Sequence, residues 1–212
     1  MKIDIVSDVV CPWCIVGYRQ LQQALEQTGI EAEIHWHPFE LNPDMPPEGE
    51  QLRDHIMRKY GSSAEDSDKN RSNLVSIGAE LGIDFQFNDD SHIRNTYDAH
   101  QLMHWADTQG LKNELKQSLF LAYFTEGLDV SDRQVLVERA ASVGLDKVEA
   151  AAVLEDQRYA DIVRENEKLW VSRGIQGVPA VILAEKYLLS GAQGVENFAA
   201  ALQQVEAESA QA

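Results

Sequence analysis

Lys2-Ile3-Asp4-Ile5-Val6-Ser7-Asp8-Val9-Val10-Cys11-Pro12-Trp13-Cys14 passes from strand chemistry to helix chemistry within 13 residues. Over 2–7 the apolar Ile3 and Ile5 alternate with other residues and β-branched side chains are enriched, which predicts a strand. Over 12–28, Cys14, Ile15, Tyr18, Leu21 and Leu25 recur at helical spacing until Gly29 stops the run. Residues 31–39, Glu-Ala-Glu-Ile-His-Trp-His-Pro-Phe, alternate again and predict a second strand. Strand, helix and strand in about 40 residues form a βαβ unit with a right-handed crossover if the strands run parallel.

Beyond this unit the composition shifts. Asn42-Pro43-Asp44-Met45-Pro46-Pro47-Glu48-Gly49 is a proline-rich connector. A helical pattern then dominates to about residue 173. One helix is expected over 50–60, before Gly61, and a second opens on Ser63 with Asp66 three later, a capping-box spacing, and runs to Gly82. Residues 83–94 read as irregular. Further helices fit 95–108, 111–126, 132–143, 146–154 and 157–173, punctuated by Gly110, Gly127, Gly144 and Gly174. Strand patterning returns at 178–184, Glu185-Lys186 can turn the chain into a partner strand at 187–190, and a last helix fits 195–207. The Ala/Glu/Gln-rich C-terminus is expected to fray. The order implies an α/β fold, a mixed sheet with flanking helices, made from 1–42 and 174–212, with an all-helical insertion over 43–173.

The chain has 212 residues, 44% hydrophobic and 25% charged, which suits a soluble globular protein of one domain, or of one domain with an insertion. Its net charge of −17 disfavours nucleic acid and anionic membrane surfaces as partners. No apolar run is long enough to span a bilayer. Asp4 and Asp8 interrupt the N-terminus, so a secretory leader is not expected there and the cytoplasm is the expected location.

Only two cysteines occur, Cys11 and Cys14, and a bond between residues so close adds little stability. Chemistry is the better explanation. Pro12 suits the first helical position, so Cys11 falls at a helix N-terminus and Cys14 one turn in. Residues three apart on a helix lie about 5 Å apart, within reach of a disulfide. The orphan N–H groups and helix dipole favour a thiolate at Cys11, and about 1.4 kcal/mol there lowers a thiol pKa by one unit. Cys11 is therefore expected to be the more exposed and more acidic thiol, and Cys14 the one that resolves a mixed disulfide. Inert packing and a zinc site completed by His35 and His37 remain as alternatives, although zinc normally takes four ligands.

Gly177-Val178-Pro179-Ala180 places a proline at the head of a late strand, a position compatible with proline. Cys-Pro-Trp-Cys after a first strand, with Gly-Val-Pro before a late one, resembles the thioredoxin superfamily, and the helical block resembles its DsbA-like branch. Ser7-Asp8 before the dithiol, the stretch Phe39-Glu40-Leu41-Asn42-Pro43-Asp44-Met45-Pro46, and Asn95-Thr96-Tyr97-Asp98-Ala99-His100 resemble the FrnE-like group. This likeness covers roughly 2–205 and implies a thioredoxin-like fold and a dithiol–disulfide oxidoreductase with a redox-active Cys11–Cys14 disulfide. Its substrates would be thiols or disulfides of proteins or of glutathione-like molecules, and no cofactor or metal is implied. The resemblance also implies that the Val178–Pro179 bond is cis and lies beside the dithiol. It assigns Trp13, Val178, Pro179, Tyr97, His100 and Met103 to substrate binding, and Pro12 and Asp8 to the dithiol environment. DsbA-type oxidants carry His between the cysteines, whereas Trp13 stands here, so a less oxidising disulfide is expected. Capping or turn chemistry is an equal alternative for Asp8. His100 and His104, four apart, are weighed as a metal pair against a helix face lining a groove or core. Trp36, Phe39, Trp105, Phe120 and Trp170 read as core, and Asp98 with His100 as a structural hydrogen bond.

Two other classes share the layout. Glutathione-dependent isomerases and transferases, of the kappa-class and 2-hydroxychromene-2-carboxylate isomerase type, typically carry a lone Ser or Thr where Cys11 stands. A holdase or partner-binding protein would use a groove and need neither cysteine.

Overall fold

The computed structural model describes residues 1–209, and the end of the tail expected to fray lies outside them. In chain order the elements are β1 (Lys2–Ser7), α1 (Pro12–Thr28), β2 (Glu33–Pro38), β3 (Glu50–Gln51), α2 (Leu52–Tyr60), α3 (Ala64–Glu80), β4 (His92–Ile93), α4 (Tyr97–Thr108), α5 (Lys112–Phe124), α6 (Arg133–Ser142), α7 (Lys147–Asp156), α8 (Ala160–Ser172), β5 (Ala180–Leu183), β6 (Tyr187–Ser190) and α9 (Val195–Ser209). They fall into two compact units, 1–41 with 165–209, and 42–164.

The first unit is built on a four-stranded mixed sheet in the order β2-β1-β5-β6. β1 pairs parallel with β2 and antiparallel with β5, and β5–β6 is an antiparallel hairpin. Register divides the sheet into two faces. Ile5 stands opposite Trp36 and Val181, and Ile3 opposite Leu183, so these side chains share one face. That face meets α1, where the Tyr18 ring lies 4.9 Å from Trp36. Fully burying such side chains contributes about 1.5–3 kcal/mol each. On the opposite face Val6, Trp170, Ile175 and Ala180 form a core cluster flanked by Phe39, Val178 and Ile182.

Trp170 explains where the units divide. The expected boundaries at 42/43 and 173/174 become 41/42 and 164/165, within α8. The C-terminal half of α8 belongs with the sheet because Trp170 buries itself in the sheet's cluster.

The second unit is helical apart from one bridge. Glu50–Gln51 pair antiparallel with His92–Ile93, a two-residue ladder too short to leave a period in the sequence. It delays the expected first helix to Leu52 and orders part of the stretch read as irregular. The Ser63–Asp66 capping box is present. Gln157 turns left-handed to end α7, so α8 starts at Ala160 rather than 157. Gly78 sits inside α3 because an added Cβ would lie 2.5 Å from Phe85, whose ring stacks on Phe87 at 5.2 Å. Of the aromatic residues read as core, Trp36, Trp105, Phe120 and Trp170 are buried and Phe39 is partly exposed.

Candidate functional site

β1 ends at Ser7, and a turn over Asp8–Cys11 delivers the chain to α1. Its closing bond is Cys11 N–H donating to the Asp8 carbonyl at 3.4 Å. Val9 and Val10 are buried in this turn, which explains an apolar pair just before the dithiol. Cys11 is the N-cap of α1, extended at φ −89° and ψ 112°, with no side-chain cap bond, and Pro12 follows in the first turn. The Cys14 N–H donates to the Cys11 carbonyl at 3.0 Å, and both sulfurs are free thiols.

The Val178–Pro179 peptide bond is cis. The Cys11 thiol donates to the Val178 carbonyl at 3.6 Å. Pro179 packs beside α1 at Gly17, where an added Cβ would lie 3.2 Å from the proline Cγ. A glycine inside a helical pattern is the available sequence sign of such a close approach. Cys11, Cys14, Val178 and Pro179 thus meet at one place within the first unit. Trp13 is 41% exposed beside them.

Groups around Cys11 act against the acidity that the helix terminus favours. The neighbouring Cys14 sulfur, to which it is hydrogen-bonded, and burial push the Cys11 thiol above its ordinary range, and the charge of Asp8 adds to this. The expected exposure difference is marginal, because Cys11 is 3% exposed and Cys14 is fully buried. A helix terminus favours the thiolate, whereas enclosure makes ionising the sulfur costly.

Asp8 is fully buried, and its Oδ2 accepts the Leu41 N–H at 2.7 Å. Asp4, which in the sequence served only to interrupt an apolar N-terminus, is buried in the sheet with its Oδ1 2.7 Å from His37 Nε2. A polar residue in an alternating strand was its only sign. The His37 ring also lies 4.5 Å from that of Trp170, and His35 Nε2 lies 3.1 Å from Glu33. Among the described residues no group of three or more His, Cys, Asp or Glu could hold a metal ion.

Tyr97, His100 and Met103 lie on α4 in the second unit. The Tyr97 hydroxyl donates to the Ala160 carbonyl at 2.8 Å, and the Arg164 guanidinium covers its ring at 3.9 Å. His100 and Met103 are buried. Asp98 accepts from Arg133 Nε at 2.8 Å, Gln157 Nε2 at 2.9 Å and Gln101 Nε2 at 3.2 Å. The His104 ring lies 5.0 Å from Tyr159, and burial pushes its pKa down.

Among the described residues no helix is long and apolar enough to cross a membrane. Residues 2–203 match the DSBA-like thioredoxin domain. A probable DsbA oxidoreductase from Streptomyces coelicolor is 33% identical, with a TM-score of 0.91 over 98% of this chain and 91% of that one. A 2-hydroxychromene-2-carboxylate isomerase is 16% identical, with a TM-score of 0.74 over 100% of this chain and 98% of that one. The cytosolic disulfide reductase DsbM from Pseudomonas aeruginosa, solved with glutathione, is 17% identical, with a TM-score of 0.64 over 96% and 98%. At these last two identities the likeness is one of fold.

Proposed function

The chain belongs to the DsbA-like thioredoxin family, and we propose that it is a thiol–disulfide oxidoreductase whose working pair is Cys11 and Cys14. One observation carries this reading: two free thiols one turn apart at the start of α1, the first held against the Val178 carbonyl.

In the reducing direction the Cys11 thiolate attacks a substrate disulfide, a mixed disulfide forms and one substrate thiolate leaves. Cys14 then attacks Cys11 Sγ, closing the Cys11–Cys14 bond and releasing the second thiolate. Two electrons pass to the substrate, and oxidation of a dithiol is the reverse. Val178 offers its backbone to an extended substrate, as in strand addition, with Pro179 and Trp13 beside the substrate sulfur. Pro12 fixes the start of the helix. Selectivity is assigned to Tyr97, His100 and Met103. Substrates are disulfides of proteins or of glutathione-like molecules, and the cytoplasm is the proposed location, supported by the cytosolic reductase of the same fold.

The isomerase reading is weaker because two cysteines occupy the site, where that class typically carries a lone Ser or Thr. Equilibration in glutathione buffers tests the proposal: the Cys11–Cys14 disulfide should form reversibly. Cys14→Ser should accumulate mixed disulfides on Cys11, since attack remains and resolution is lost. Accumulation in Cys11→Ser instead would invert the two roles.

A further inference from the structure

The face of the four-stranded sheet opposite α1 is covered over only part of its extent. Trp170 and Ile175 pack with Val6 and Ala180. The next row away from the dithiol is Asp4 on β1, Ile182 on β5 and Leu188 on β6, which pair across the strands and floor a cleft of about 590 Å³. Its wall is the end of α8 and the residue after it, where Asn166, Leu169, Trp170 and Arg173 share one side at helical spacing. The volume is that of a small-molecule site. Leu188 is 51% exposed and Leu169 42%, so apolar surface is left uncovered there. Cys11, Trp13, Cys14, Val178 and Pro179 do not line this cleft. The charged groups at its floor satisfy one another. Asp4 lies 2.7 Å from His37 Nε2 and 3.5 Å from Lys2 Nζ, and Lys2 Nζ donates to Glu185 Oε1 at 2.5 Å. The wall differs. Among the described residues the Arg173 guanidinium has no carboxylate partner, and the Asn166 amide has no hydrogen-bond partner. The guanidinium lies over the Trp170 ring, 4.9 Å from its centre, which restrains it while its N–H groups still lack an acceptor.

We propose that this cleft binds a small amphipathic carboxylate, with its anionic head on Arg173 and its apolar body on Leu169, Ile182 and Leu188. A guanidinium meets a carboxylate through two parallel N–H···O bonds, so a planar anion is the head group that answers the unpartnered donors. A cationic head would have to break the pairs of Lys2 with Asp4 and Glu185 to reach an acid. A neutral head would leave the guanidinium without a counter-charge. The chain's net charge of −17 opposes an anion at long range, but at physiological ionic strength that field is screened beyond about 8 Å, so the contact at Arg173 decides. Burial of the apolar body on the two leucines and Ile182 supplies the rest of the affinity. No step of disulfide exchange passes through this cleft, so the site stands or falls apart from the oxidoreductase reading.

Equilibrium dialysis of the full chain against three probes with the same alkyl chain, octanoate, octan-1-ol and octylammonium, tests the proposal. Octanoate should bind with a Kd below about 1 mM, and the other two about fivefold more weakly, the difference a partly solvated ion pair makes. Arg173→Gln should weaken octanoate by about the same factor and erase the preference, and Arg173→Glu should turn it toward octylammonium. Leu188→Ser should weaken all three probes. Arg173 and Leu188 are exposed, so the variants should fold, which melting curves check. Arg173→Gln should leave the Cys11–Cys14 equilibrium with glutathione unchanged. Equal affinity of wild type for the three probes, or octanoate binding unmoved by Arg173→Gln, overturns the anionic head. Absence of octanoate binding up to about 5 mM overturns the site. A wild-type dimer that Leu188→Glu converts to a monomer gives this face to a second copy of the chain and overturns the site as well. Failure of the Cys11–Cys14 disulfide to form in glutathione buffers would overturn the oxidoreductase reading and leave octanoate binding untouched.

Discussion

Helices α3, α6 and α7 begin on Ser63, Asp132 and Asp146, whose side chains accept backbone N–H groups of the first turn. Helix α1 begins on Cys11, whose side chain makes no such bond and donates instead to Val178. The termini start from the same physics, four N–H groups without partners inside the helix and a positive dipole end. In the second unit that terminus is spent on stability. In the first it is left to a sulfur, and the helix is held by buried residues such as Ile15, Tyr18 and Leu21. Changes to the two kinds of terminus should therefore separate chemistry from stability.

Cys11→Ser should show the largest effect. It replaces the thiol with a hydroxyl, one of the preferred N-caps. Disulfide exchange should fall to the uncatalysed rate while the melting temperature holds or rises. Exchange above that of the variant lacking both cysteines would break the comparison.

Gly78→Ala should do the reverse in the second unit. The added Cβ would approach Phe85 within 2.5 Å and the Ile83 carbonyl within 3.0 Å. Overpacking of about 1–3 kcal/mol, less the gain of about 1 kcal/mol from removing a helical glycine, leaves a net loss of up to about 2 kcal/mol. Chemical denaturation should show this loss with the glutathione equilibrium unchanged, and a variant as stable as wild type would mean that Phe85 can move aside.

Asp132→Ala removes a cap that accepts from Gln134 N–H at 2.7 Å and Val135 N–H at 3.2 Å. A loss of about 1 kcal/mol, or about 2–4 °C in Tm for a chain of this size, is expected by calorimetry. No change in Tm would show that solvent replaces the cap freely.

The smallest effect is expected from acid. Hydrogen bonds from Arg58, then His55, lower the Glu50 carboxyl from 4.5 to about 2. Its folded pKa lies below its unfolded one, so its contribution is present above pH 4.5 and is lost as pH falls toward 2. The cluster is partly solvated, so salt should weaken the effect. Glu50→Gln should flatten the dependence of stability on pH in that window, and an unchanged slope would remove Glu50 as its source.

The sequence by itself determined β1, α1 and β2, the Cys-Pro-Trp-Cys pair at a helix start, the Ser63–Asp66 box, the late hairpin and the last helix. Each is written in a period of two or 3.6 residues, or in a cap within four residues, so neighbours along the chain carry the information. Tertiary structure decided what depends on partners far apart in sequence. β1 lies between β2 and β5, and Glu50–Gln51 finds His92–Ile93. Trp170 draws half of α8 to the sheet, Pro179 settles on Gly17, and Asp8 reaches Leu41. The direction of the Cys11 shift belongs with these, because the helix terminus is local and visible, while burial and the sulfur and carboxylate around the thiol exist only once the chain has closed over it.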